Sequence, residues 1–160
     1  MIGGSRLLGA NIQSERTGHM KAMEKAAAGK AIHKKSDRAK IVLIDDDPVY
    51  GAVISRWAEL EKVNLDVYNS LDDLGFLGLL SKYDVVIVDY DLGELNGKDV
   101  ADYMATLFNN KPMVMISLVD RSTEIMNCPS CVKAFMKKSA GYARILDTAL
   151  KLGMEKKSAF

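Results

Sequence analysis

The sequence predicts an α/β fold of the doubly wound kind, one parallel sheet between two layers of helix. Three observations predict it. Short apolar runs recur from residue 40 onward: IVLI (41–44), LDVY (65–68), VVIVD (85–89), MVMIS (113–117) and AFMK (134–137). Amphipathic stretches separate them, so strand and helix patterns alternate. Most of the runs are apolar without interruption, as expected of parallel strands buried on both faces. Five βα units fit between residues 40 and 152, and their crossovers are expected to be right-handed.

The elements follow in order. After IVLI, residues 48–62 carry Val49, Ala52, Val53, Trp57 and Leu60 on one helical face. Pro48 suits the first helical turn, where its missing N–H costs nothing, and Asp47 suits the cap before it. SLDDLGFLGLLSK (70–82) reads as a second helix with Ser70 as N-cap. Residues 97–108 place Val100, Tyr103, Met104, Leu107 and Phe108 at helical spacing. Pro129 confines the fourth helix to about 120–127. The last helix, 140–152, sets Tyr142, Ile145, Leu146, Ala149 and Leu150 on one stripe, and residues 153–160 are expected to be a tail.

Charge divides the chain. Residues 1–39 hold eight Lys/Arg and three Asp/Glu, and the remainder holds 14 and 18, so a basic leader of +5 precedes an acidic body of −4. The leader lacks sustained apolar periodicity and is expected to be flexible. Its stretch 19–35 favours helix by composition, and His19 and His33 are expected to be solvated. An acidic body argues against direct nucleic-acid binding, which needs basic surface against phosphates. No apolar run reaches the roughly 18 residues of a membrane span. The opening MIGGSRLLGANIQ lacks the apolar core of a secretory signal. The expectation is a cytoplasmic protein that does not insert into membranes. Cys128 and Cys131 do not make a secreted disulfide framework.

Ligands of an open parallel sheet bind beyond the carboxyl ends of its strands. Strand one ends in Asp45, Asp46 and Asp47, strand three in Asp89 with Asp91 close behind, strand four in Ser117, and strand five in Lys137 and Lys138. If these strands are contiguous, acids, a hydroxyl and an amine share one pocket. Two carboxylates at about 4 Å repel by roughly 4 kcal/mol at an effective dielectric of 20. A divalent cation removes that cost, and an oxygen-only donor set selects a hard ion such as Mg²⁺. The spare amine and hydroxyl suit phosphoryl oxygens, so the set fits phosphoryl transfer onto a carboxylate.

With these residues in place, the chain resembles the receiver domains of two-component response regulators over residues 40–152, through IVLIDDDP, YDVVIVDYDLGELNG, MVMIS and FMKKS. The resemblance implies a flavodoxin-like (βα)5 fold with a five-stranded parallel sheet in order 2-1-3-4-5. It implies Asp89 as phosphoacceptor, Asp45 and Asp46 as the acidic pair for Mg²⁺, and Asp91 as a backbone-carbonyl ligand. Gly97 serves the turn into the third helix. Ser117 and Lys138 follow the phosphoryl group, and Phe135 matches the switch aromatic. The implied donor is a histidine kinase or histidine phosphotransfer protein. Output, for a stand-alone receiver, is contact with a downstream protein target or onward phosphorelay. Asp47 is assigned to helix capping rather than the metal. Lys138 is preferred to Lys137 on spacing.

Some positions depart from the family pattern: Gly93 replaces the usual Pro, Leu118 is bulky after the hydroxyl position, and Ser139 rather than Pro follows Lys138. Two other functions fit the same text. A small haloacid-dehalogenase-like phosphatase would use Asp45 as nucleophile and Asp47 as acid/base. A degenerate receiver would bind partners without being phosphorylated. Cys128-Pro-Ser-Cys131 ends a predicted helix rather than opening one, and two thiols cannot complete a four-ligand zinc site, so a structural role is expected.

Overall fold

A computed structural model of the chain describes residues 38–108 and 111–158. The basic leader as far as residue 37, with His19, His33 and the helix-favouring stretch 19–35, lies outside the described residues. Five strands, β1 (Lys40–Ile44), β2 (Asn64–Tyr68), β3 (Val85–Asp89), β4 (Met113–Ser117) and β5 (Val132–Lys137), form one parallel sheet in spatial order 2-1-3-4-5. Every residue of β3 and β4 is buried, as are the four aliphatics of β1.

Side-chain alternation along these strands makes two cores. Val42, Ile44, Val86, Val88, Met113 and Met115 face one layer, and Ile41, Leu43, Val85, Ile87, Val114 and Ile116 face the other. Helices α1 (Pro48–Leu60) and α4 (Tyr142–Ser158) cover the second face, the latter through Ile145, Leu146 and Ala149. Helix α3 (Gly97–Leu107) covers the first with Val100, Ala101 and Met104. The short α2 (Leu71–Leu74) and a 3-10 turn (Leu77–Lys82) complete that layer. Each large aliphatic side chain fully buried in this way contributes about 1.5–3 kcal/mol.

The helices differ from the sequence reading in four places. The stripe expected to face inward on α1 is mostly outward, with Val49 70% and Leu60 65% exposed. Tyr50, Gly51, Ile54 and Ala58 are buried instead. Both stripes are apolar, so periodicity could not choose between them. The fit against β2 chose, because a Cβ on Gly51 would stand only 3.0 Å from Val67 Cγ1. The second helix is broken. Ser70 caps it, accepting from Asp73 N at 3.0 Å, but Gly75 adopts φ +79° and ends it after one turn. The predicted fourth helix is only a 3-10 turn, Ser122–Asn127. Finally, α4 passes the predicted end at 152 and runs to Ser158.

Gly153 explains how α4 can continue. A Cβ there would meet Ala39 Cβ at 2.5 Å and Val85 Cγ2 at 3.0 Å, so the helix lies directly on the base of the sheet. Overpacking of this kind costs typically 1–3 kcal/mol. Gly153→Val is therefore expected to lower the unfolding free energy by about that much, read as a reduced urea midpoint at unchanged slope. A midpoint equal to wild type would show that the helix end does not press on the sheet.

Candidate functional site

The order 2-1-3-4-5 sets the ends of β1, β3, β4 and β5 side by side. Asp45 follows β1, Asp89 ends β3, Ser117 ends β4, and Lys138 opens a one-turn 3-10 helix (Lys138–Ala140) directly after β5. These four side chains come from distant parts of the sequence, and all four are buried. The pairing of β4 with β5 contains an irregularity between Met113 and Val114, where Lys133 is passed over. That extra residue sets the phase of the β5 end. Lys137 pairs with Ser117 and is exposed, and Lys138 turns into the site.

Lys138 is the centre of the cluster. Its Nζ lies 2.9 Å from Asp45 Oδ1, 2.8 Å from Asp45 Oδ2 and 2.6 Å from Asp89 Oδ2. Asp45 Oδ1 also accepts from Asp47 N at 3.0 Å, and Asp89 Oδ1 accepts from Asp91 N at 3.3 Å. Burial pushes the Asp45 carboxyl above its ordinary range, against the lowering effect of Lys138 and the Asp47 amide. Burial alone would lower the Lys138 amine, but hydrogen bonds to Asp45 and Asp89 outweigh it and raise its pKa. Desolvation thus wins at the acid and ion pairing at the amine, so Lys138 stays an ammonium.

Asp46 has a different environment. It is exposed, and among the described residues its carboxylate has no hydrogen-bond or ion-pair partner. Oxygens of Asp45, Asp46 and Asp89 nevertheless lie within 4.8 Å of one another. Three carboxylates against one ammonium leave two negative charges uncompensated at the mouth. The donor set is all oxygen, with no His or Cys, which fits a hard divalent cation such as Mg²⁺. Asp47 turns away. Its Oδ1 accepts from Val49 N at 2.9 Å and Tyr50 N at 3.1 Å, capping α1.

A second cluster borders the first. Asp91 Oδ1 pairs with Arg121 Nη2 at 3.0 Å, and Asp91 Oδ2 lies 3.4 Å from Ser117 Oγ. Arg121 also pairs with Glu124 at 3.1 Å and stacks on the Tyr90 ring, 4.5 Å from its centroid. The Tyr90 hydroxyl donates to Glu124, which with burial pushes the phenol up to about 12. Phe135 is half-buried, with its ring centroid 6.1 Å from that of Tyr90. The predicted switch residues Ser117 and Phe135 therefore both touch this second cluster, one through Asp91 and the other through Tyr90.

The loop after Asp89 is shaped by two glycines. Gly93, at φ +71°, forms with Glu94 a two-residue turn between the short paired segments Asp91–Leu92 and Leu95–Asn96. Gly97 N donates to Tyr90 O at 2.7 Å, and a Cβ there would stand 2.9 Å from Asp89 O. Only glycine lets α3 start this close to the Asp89 backbone. Leu118 points outward, 72% exposed. Burial pushes both thiols up, and Cys131 Sγ is in contact with Ala101 O at 3.5 Å, as expected of packing cysteines rather than activated ones.

The sequence reading missed Tyr90, Arg121, Glu124 and Tyr50. Tyr50 lies under Lys138, whose Nζ is 4.6 Å from the ring centroid. Proximity to Asp89 and Ser117 in sequence could have signalled Tyr90 and Arg121. Tyr50 is hidden in the sequence because α1 carries a second apolar stripe, Val49 to Leu60, that periodicity alone favours equally.

No family model matches the sequence, and a search of curated proteins finds no match. Solved structures do match in fold. A response regulator receiver domain from Francisella superposes with TM-score 0.64 at 19% identity, over 74% of this chain and 98% of that one. A CheY-like receiver domain protein from Methanospirillum hungatei JF-1 gives 0.65 at 13%, over 77% and 99%. A receiver domain protein from Clostridium thermocellum gives 0.64 at 19%, over 76% and 98%. The chain has the fold of a response regulator receiver domain.

Removing one partner of a buried ion pair costs about 3–5 kcal/mol, because the other charge stays buried. Lys138→Met strands two carboxylates and is expected to lower the unfolding free energy by about that amount in urea titration. Adding Asp89→Asn to the same chain should recover part of the loss. A Lys138→Met protein as stable as wild type would show that the cluster is not a buried ion-pair site.

Proposed function

We propose that the chain is a phosphoacceptor receiver, with Asp89 as the residue that takes the phosphoryl group. One observation carries the reading: Asp89 ends a central strand at the carboxyl edge, in contact with a buried ammonium and within reach of two further carboxylates. The receiver fold supports it. The donor is a phosphohistidine, on a histidine kinase or a histidine phosphotransfer protein. An Asp89 carboxylate oxygen attacks the phosphorus, the P–N bond breaks, and the electron pair leaves with the imidazole. Asp45, Asp46 and Asp89, with the Asp91 carbonyl, would hold Mg²⁺. When bound, that ion offsets the charge of the carboxylates and the phosphoryl oxygens.

The chain's own residues do the rest. Lys138 offers an ammonium that can turn from the Asp89 carboxylate to a phosphoryl oxygen. Ser117 can donate its hydroxyl to another oxygen once it leaves Asp91. Phosphorylation adds about −1.5 to −2 charges beside the Asp91–Arg121 pair. Loss of the Ser117–Asp91 contact would then be felt at Tyr90 and Phe135. The surface formed by the 122–127 turn, β5 and α4 would change its preference for a protein target, as a shift between two populations.

The two other readings differ in where label goes. With acetyl phosphate and Mg²⁺, peptide mapping is expected to find acid-stable, base-labile phosphate on Asp89 alone, and none in Asp89→Asn. Asp46→Asn should slow labelling by roughly 100-fold or more, since metal charge stabilisation is worth several kcal/mol. Label on Asp45 would establish the phosphatase-like chemistry instead. A folded protein that takes no label would be a binding module that works without phosphorylation.

A further inference from the structure

Lys138 has an unusual third neighbour. Asp45 and Asp89 supply its anionic contacts, and the face of Tyr50 stands 4.6 Å from Nζ. An ammonium at this range is attracted to the ring, most strongly where water is excluded. Water is excluded here: Tyr50 is 8% exposed and Lys138 7%. Tyr142 also packs against the ring, with centroids 5.1 Å apart and planes tilted by 47°. Lys138 and Tyr142 reach it from the same corner, joined through Gly141 at φ +93°. The Tyr50 hydroxyl is buried and has no hydrogen-bond partner among the described residues. Such a group costs stability and adds nothing to the contact. The ring face is therefore the part of this residue that the site uses.

We propose that Tyr50 is a positioning residue for phosphoryl transfer, its ring face keeping the Lys138 ammonium in the site without tying it to one oxygen. The inference rests on the phosphoacceptor reading above. A carboxylate or carbonyl in the same place would form a directed bond and hold the amine back. A π face attracts a cation broadly, so Nζ can pass from Asp89 to a phosphoryl oxygen while the ring still supports it. Purely aliphatic packing would leave the long side chain free to swing out to water, as lysine stems readily allow.

Three variants and one spectrum test this. Tyr50→Leu keeps apolar bulk and removes the ring. At saturating acetyl phosphate and Mg²⁺ it should label Asp89 roughly tenfold more slowly than wild type, with the half-saturating Mg²⁺ concentration unchanged. Tyr50→Phe should restore the rate and raise the thermal midpoint by removing the unpaired hydroxyl. If the Leu protein is not folded by circular dichroism, Tyr50→Met takes its place with the same expected loss. In ¹H–¹³C spectra of wild type and Tyr50→Phe, the Lys138 ε-methylene protons should lie upfield through the ring current. A folded Leu or Met variant that labels at the wild-type rate overturns the proposal, as does an unshifted Lys138 signal in a protein that labels. A wild-type protein that does not label at all removes the function reading instead, and the upfield signal still reports separately whether the ring holds the ammonium.

Discussion

One ammonium at the edge of the sheet decides what the rest of the structure must do. Lys138 is paired with Asp45 and Asp89 in a place almost closed to water. Ion pairs out of water stand only when geometry is good and the remaining lone pairs are met. Backbone meets part of that condition: the amides of Asp47 and Asp91 turn back onto Asp45 Oδ1 and Asp89 Oδ1, while Asp45 Oδ2 has the ion pair with Lys138 and no hydrogen bond among the described residues. The tips of β1 and β3 must therefore curl inward. Pro48 and the hairpin around Gly93 follow immediately because the chain has to leave those curls in fixed directions.

The same demand reaches the far side of the sheet. Lys138 can enter only if β5 ends in the right phase, and the irregularity beside Met113 supplies that phase. The glycine at 97 allows α3 to begin against the Asp89 carbonyl, so the acidic loop is pressed on from outside as well as pulled from inside. Packing of the two cores fixes the strands to within the tolerance such contacts need. The cores thus contribute stability and also set distances.

Around this fixed centre lies a set of contacts that is easier to rearrange. The Arg121 pairs with Asp91 and Glu124 are partly exposed, and exposed pairs of this kind are worth little each. They connect Ser117 to Tyr90 and so to Phe135. A strong buried centre bordered by weak surface links is an arrangement in which a new charge can break the links and leave the sheet intact. Tyr50 belongs to the centre by burial, and its attraction for the ammonium is undirected.

Much of this was legible in the sequence. Uninterrupted apolar runs predict burial on both faces, as β1, β3 and β4 show, and alternation with helical patterns predicts a parallel sheet. Strand β2, interrupted by Asp66, and β5 are only partly buried, yet the strands and their polar tips still followed from residue types. Asp47 before Pro48 announced a cap for the same local reason. What sequence could not supply was anything that depends on one element meeting another. Two apolar stripes run along α1, and only contact with β2 made Tyr50, Ile54 and Ala58 the inner one. The second helix needed Gly75 to take a left-handed turn, and α4 outran its apparent end because Gly153 fits against Ala39 and Val85. Arg121 stands close to Ser117 in the chain, but its meeting with Asp91, like that of Tyr50 with Lys138, is made across separations that carry no local signal. Residue chemistry determined which groups stand at the strand ends. Packing decided which of them touch, because contact is a property of the space between elements and not of any one of them.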